Sequence, residues 1–249
     1  MKSLIKSKSL IAVLVLALIL VPCMFLLTAC GDEPENTEIT SVEVSNYTEL
    51  VNALKGDKNI VKLTENINLT SALVVNRTVT LDLNGKTISN TADLWDTTTH
   101  TYALITVREG GNLTVTGNGT MDAKENDCFV FNVLDGAKLT VENGTFKGNI
   151  SALQVQEGSA YVKGGSWSIK QLTTSPANKE YDFMLNCIDA NYQEGTAKII
   201  VTGGTFAHFN PAQNLAESNL PNYTNFVLEG YESNLVAGST TDYVVTKTA

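Results

Sequence analysis

Three stretches of the chain gather side chains suited to holding a ligand. Residues 91–101 (TADLWDTTTHT) bring Asp93, Trp95, Asp96 and His100. Residues 122–127 (DAKEND) bring Asp122, Glu125 and Asp127, and residues 171–184 bring Tyr181, Asp182 and Phe183. Aromatic rings beside hydrogen-bond acceptors are what stacking on a sugar ring and bonding its hydroxyls require. On this reading Trp95, Asp96, His100, Asp122, Asp127, Tyr181 and Asp182 are the candidate binding residues. The competing reading is that Trp95 and Phe183 pack their own loops against the body of the domain. Asp122, Glu125 and Asp127 are also candidates for calcium, but one short run supplies fewer than the about six to eight oxygens that ion takes. No cofactor is expected. Acid–base catalysis needs charged groups converging on one face. The chain has just two arginines, Arg77 and Arg108, two histidines, His100 and His208, and no Asp-Asp pair. Asp82, between Leu81 and Leu83, lies on the outward phase of a strand. The expectation is a binding protein rather than an enzyme.

What must position these residues is a repeat. Four segments share one plan: an alternating apolar stretch, a turn ending in Gly, a second alternating stretch, then Gly-Thr/Ser and a large apolar residue. The first two read Ile105-Thr106-Val107, Leu113-Thr114-Val115, Gly119-Thr120-Met121 and Phe131-Asn132-Val133, Leu139-Thr140-Val141, Gly144-Thr145-Phe146. The others read Leu153-Gln154-Val155, Tyr161-Val162, Gly165-Ser166-Trp167 and Ile188-Asp189-Ala190, Ile199-Ile200-Val201, Gly204-Thr205-Phe206. The marking glycines lie 25, 21 and 39 residues apart, and a weaker copy runs from Val79 to Ile88. Period-two alternation means strands with one buried face. A unit this short cannot bury that face alone, so units must stack to close a core. Trp167 shares its slot with Met121, Phe146 and Phe206 and is expected in that core. The three ligand-bearing stretches all follow the large apolar residue of their repeat, or Ile88 in the weaker copy, so they should leave the stack at one corner. Asp135, Glu157 and Glu194 each precede a turn glycine and would stack as a column of acids.

Leu81-Asp82-Leu83-Asn84-Gly85-Lys86-Thr87-Ile88, the Gly-Thr-Phe repeats and the tail through Phe209-Asn210-Pro211, Gly230-Tyr231 and Tyr243-Val244-Val245 resemble a known group. The group is the pectin-lyase-like parallel β-helices, in particular β-helix surface proteins of Gram-positive gut bacteria, and the resemblance covers residues 41 to 249. It implies an all-β fold, a single-stranded right-handed parallel β-helix with a short N-terminal capping helix and an irregular C-terminal cap. Boundaries follow: cap 41–58, stacked units 59–206, C-terminal cap 207–249. Tyr47, Leu50, Val51 and Leu54 have helical spacing behind an N-cap at Ser45 or Asn46. The lyases and hydrolases of that group use acid clusters with calcium and a base, or paired aspartates. Neither pattern is apparent here. Cys128 and Cys187 each fall eight residues before a turn glycine, Gly136 and Gly195. That assigns them matching positions two units, roughly 9–10 Å, apart, too far for a disulfide, and predicts two buried thiols.

Ahead of the domain, Lys2, Lys6 and Lys8 precede an apolar run from Leu10 to Leu27, the layout of a secretory signal peptide. Leu27-Thr28-Ala29-Cys30 then looks like the lipobox of bacterial lipoproteins. The resemblance implies lipidation of Cys30, removal of residues 1–29 and attachment to a membrane on its extracytoplasmic side, where two or more acyl chains hold a protein stably. Residues 30–40 read as a polar tether. Cleavage removes three lysines and no acids, leaving 14 basic against 26 acidic residues, a net charge of −12. Such a surface repels nucleic acid. The partners expected are the membrane, through the lipid, and a carbohydrate or surface protein.

Overall fold

Strands of three to five residues follow one another along the chain, with apolar residues on alternate positions turned to a common core. The computed structural model describes residues 39–124, 128–171, 183–214 and 223–249. Ile39–Ala249 forms one unit. The apolar run before it and Cys30 lie outside the described residues; no described helix is long and apolar enough to cross a membrane.

The strands sort into three sheets. A seven-stranded sheet holds β1 (Ser41–Val44), β2 (Ile60–Leu63), β5 (Thr78–Asp82), β8 (Asn112–Thr116), β11 (Ala137–Val141), β14 (Gly158–Val162) and β17 (Ala197–Val201), in that order. A five-stranded sheet holds β4 (Leu73–Val75), β7 (Ala103–Val107), β10 (Phe129–Val133), β13 (Leu153–Val155) and β16 (Leu185–Cys187). The eight-stranded sheet runs β3 (Ile67–Leu69), β6 (Thr87–Asn90), β9 (Thr120–Asp122), β12 (Thr145–Gly148), β15 (Ser166–Ile169), β18 (Gly204–Phe206), β20 (Tyr243–Lys247), β19 (Tyr231–Leu235). From β2 to β18 the chain visits the three sheets in strict rotation, and each strand pairs in parallel with the strand three later.

Register puts like on like. Ile88, Met121, Phe146, Trp167 and Phe206 occupy one column of the eight-stranded sheet, as the repeat predicts. The Phe146 and Trp167 rings stand 4.5 Å apart, and Trp167 is stacked on Phe206 at 6.5 Å. Gly144 and Gly165 are sterically required beside the Phe146 ring. At Gly165 (φ 90°) an added Cβ would meet the Phe146 ring at 2.8 Å.

Between β1 and β2 lies α1 (Tyr47–Lys55). Asn46 is its N-cap and accepts from Glu49 N, while the Glu49 carboxylate returns to Ser45 N and Oγ. Those Ser45 bonds hold the Glu49 carboxyl below its usual range. Leu50 and Leu54 are buried against the first strands. Arg77 fastens the other end: its guanidinium donates to Leu54 O, Ala53 O and Lys58 O at 2.8 Å each and to Thr78 O at 3.0 Å.

Three expectations need correction. The fourth copy is out by three residues: its strand is Leu185–Cys187, while Asp189 and Ala190 belong to the short helix α2 (Asp189–Glu194). Gly195 is the left-handed residue that ends this helix, not a turn glycine like Gly136. Cys187 therefore aligns with Val155 and Val133 rather than with Cys128, and Glu194 leaves the supposed acid column. Both thiols are nonetheless buried and outside any disulfide, and burial pushes Cys128 up to about 12. Finally, the C-terminal region contains a regular element: β19 and β20 form an antiparallel hairpin that extends the eight-stranded sheet. The N-terminal cap likewise contains a paired strand, β1.

Arg77→Ala strips three carbonyls at the end of α1 of one charged donor. It should cost about 2–3 kcal/mol, read as a fall of roughly 5–10 °C in the thermal midpoint. Arg77→Lys should recover only part, because an ammonium lacks the fork; an unchanged melt for Arg77→Ala would sink the assignment.

Candidate functional site

The three ligand-bearing stretches join the eight-stranded to the five-stranded sheet: 91–102 links β6 to β7, 123–128 links β9 to β10, and 170–184 links β15 to β16. They leave at one kind of junction, as expected. The same junction takes four residues between β12 and β13 and three between β3 and β4.

The 91–102 loop builds itself around two aspartates. Asp93 Oδ1 accepts Trp95 N at 3.0 Å. Asp96 accepts Thr98 N at 2.8 Å through Oδ1 and the Thr99 hydroxyl at 2.8 Å through Oδ2. The Thr99 hydroxyl first, then Thr98 N, holds the Asp96 carboxyl below its usual range. Backbone bonds run both ways between Asp96 and Thr101 and close a small hairpin with His100 in the left-handed region (φ 55°). His100 Nδ1 lies 3.1 Å from the Tyr102 hydroxyl. Trp95 packs 4.5 Å from the Tyr102 ring and edge-on, at 5.6 Å, to Phe129, yet 41% of it stays exposed. Packing and exposure coexist on one ring.

This loop and the edge of the five-stranded sheet enclose a groove of about 440 Å³. Thr70, Ser71, Ala72 and Val74 line one wall, and Asp93, Leu94, Trp95, Asp96, Thr99 and Thr101 the other, with Arg108 also at its lining. Arg108 Nη1 donates to Thr99 O at 3.3 Å, and its Nε lies 3.3 Å from Glu109 Oε1. Of the predicted residues, Trp95 and Asp96 line the groove and His100 sits at the hairpin tip. Asp122 does not join them. Lys170 Nζ lies 2.7 Å from Asp122 Oδ1, and Lys147 Nζ is 4.0 Å from Oδ2, so its charge is spent within the eight-stranded sheet. Among the described residues no group of three His, Cys, Asp or Glu is placed to hold a metal. Asp127, Tyr181, Asp182 and Glu125 lie outside the described residues.

Sequence reasoning missed a covered polar column. Val74 in the groove wall registers with Thr106, and Thr106 with Asn132, Gln154 and Asn186, in a column on the sheet face opposite the core. That face is not solvated: Thr106 and Asn132 are fully buried and Gln154 is 6% exposed. Gln156 Nε2 donates to Asn132 Oδ1, and Asn186 Nδ2 to Gln154 Oε1. Among the described residues, Thr106 Oγ1, Asn132 Nδ2, Gln154 Nε2 and Asn186 Oδ1 have no hydrogen-bond partner. A buried polar atom left unmet costs about 1–3 kcal/mol. One column thus holds four unmet groups leading away from the groove.

No protein-family model, curated protein or solved structure matches the chain.

Thr106→Val keeps the shape and deletes an unmet hydroxyl, so it should raise the thermal midpoint by about 2–4 °C or more. A fall on differential scanning calorimetry would show that the hydroxyl contributes a bond. Asp96→Asn should loosen the hairpin, seen as faster amide exchange at Thr98 and Thr99. Because the Asp96 carboxyl is held low when folded, its contribution is present above the ordinary carboxylate range. It is lost as pH falls through the lowered value, and protection at those two amides should follow that sign.

Proposed function

We propose that the chain is a non-catalytic, cell-surface lipoprotein, anchored through Cys30, that binds a glycan in the groove beneath the 91–102 loop. Its domain is on this reading a closed right-handed parallel β-helix. What supports the helix is the strict rotation of strands through three sheets, with paired strand residues in constant register from one strand to the next. The observation that carries the binding reading is Trp95: a ring already fixed from behind by Tyr102 and Phe129 and still 41% exposed over a groove lined by hydroxyls. An aromatic platform that is rigid before the ligand arrives loses little entropy on binding.

The lyase or hydrolase alternative draws less support from the same groove. Asp93 and Asp96 come from one loop and spend acceptors on that loop's own N–H groups, whereas acid–base pairs need separated, independently held carboxyls. The anchor rests on residues 27–30 alone. The acidic composition disfavours nucleic acid as a partner.

Glycan-array screening of the chain beginning at Cys30 is the primary test. Trp95→Ala should weaken a hit by at least about tenfold, or about 1.4 kcal/mol, with the melt within about 2 °C of the parent. Equal binding by that variant would overturn the groove, and capture of a protein with no glycan hit would replace the ligand class. Separately, Cys30→Ala should abolish incorporation of labelled fatty acid and release the protein from membranes. Retained labelling would end the lipoprotein reading.

A further inference from the structure

The ends of the three sheets are covered unequally. At the N-terminal end α1 contacts β1, β2, β3 and β4. At the other end Asn214 Nδ2 donates to Leu185 O on β16, and Val201 on β17 is bridged by Val227, with Val201 N donating to Phe226 O. The eight-stranded sheet is treated differently. The β19–β20 hairpin covers β18, but this only moves the edge outward by two strands, and among the described residues β19 is the last strand of its sheet.

The alternation of bonds in that hairpin shows which groups face out. Val236 N donates to Asp242 O and Thr248 N to Gly230 O, so even-numbered residues of β19 bond β20. The backbone groups of Ser233 and Leu235 therefore point away from the sheet. Exposed edges are ordinarily blunted by lysine, proline or a bulge. Tyr231–Leu235 (YESNL) contains neither lysine nor proline. Leu235 is 49% exposed, and Leu228, just before the strand, is 45% exposed.

We propose that this edge pairs with the same edge of a second copy of the chain. The argument for that occupant is the strand's complementarity to itself. Antiparallel pairing about a two-fold axis at Ser233 matches all five residues. It sets Tyr231 against the partner's Leu235 and Glu232 against the partner's Asn234. Like charges face each other nowhere in that register. Centring one residue earlier would oppose Glu232 to the partner's Glu232, which is unfavourable. The two eight-stranded sheets then become one continuous sheet, and the contact is isologous and closes at two copies.

Asn234 is exposed and shares the outer face with Glu232, so its charge can be altered without touching the core. The full chain, purified in detergent micelles with two different tags co-expressed, should co-purify as a pair and give a two-copy mass by light scattering. Asn234→Glu places acid against Glu232 twice by symmetry and should weaken association roughly tenfold. Asn234→Lys should strengthen it, and adding Glu232→Lys to Asn234→Glu should restore pairing. Melts of all variants should match the parent. A single-copy mass at every concentration overturns the proposal, and so does a pair indifferent to the sign of charge at 234.

Discussion

Each strand from β2 to β15 bonds the strand three places later, in parallel and without slippage. That spacing, about 4.8 Å per round, is the constraint the rest of the molecule obeys. It forces equivalent residues into columns, so a residue that suits one round must tolerate its own kind above and below. Large apolar side chains answer by interleaving, as Phe146, Trp167 and Phe206 do. Charged residues answer by alternating sign, as Glu43 with Lys62 and Glu142 with Lys163 show on the seven-stranded sheet. Stability of this sort is local, with each inner strand held by its two neighbours in the sheet. The ends accordingly need their own arrangements, which α1, Arg77 and the C-terminal residues provide.

How much of this was legible in the sequence depends on whether a motif is sterically compelled. Gly-Thr-Phe was readable because each glycine is closely approached, by the Phe146 ring at Gly144 and Gly165 and by backbone at Gly119 and Gly204, so the column from Met121 to Phe206 came out in register. The strand at Leu185–Cys187 was not, because α2 sits between it and Gly195. Counting back from that glycine absorbed the helix and misplaced Cys187 and Asp189 together. The N-cap was legible from side-chain chemistry to within one residue, Ser45 or Asn46, and it is Asn46. Ser41-Val42-Glu43-Val44 alternates over only four residues, too short to stand out as a strand without its pairing with β2, nineteen residues away.

The candidate site divides in the same manner. Trp95, Asp96 and His100 were legible as a loop too long for its place in the repeat. Asp122 looked similar, but its partner Lys170 is 48 residues distant and no spacing rule connects them. Thr106, Asn132 and Gln154 were visible in their repeats and read as a solvated strand face, since alternation reports only that one face differs from the other. It does not report whether the second face is also covered.

The junction between the eight- and five-stranded sheets has a consequence for how such a chain diversifies. It accepts three residues or fifteen while the register on either side continues unbroken. Length there is uncoupled from folding, so a mutation that lengthens or replaces one of these loops is tested by selection for what the loop touches and scarcely for whether the protein stands. A stack of this kind separates inheritance of its scaffold from experiment at its rim, and recognition can drift quickly over a frame that hardly changes.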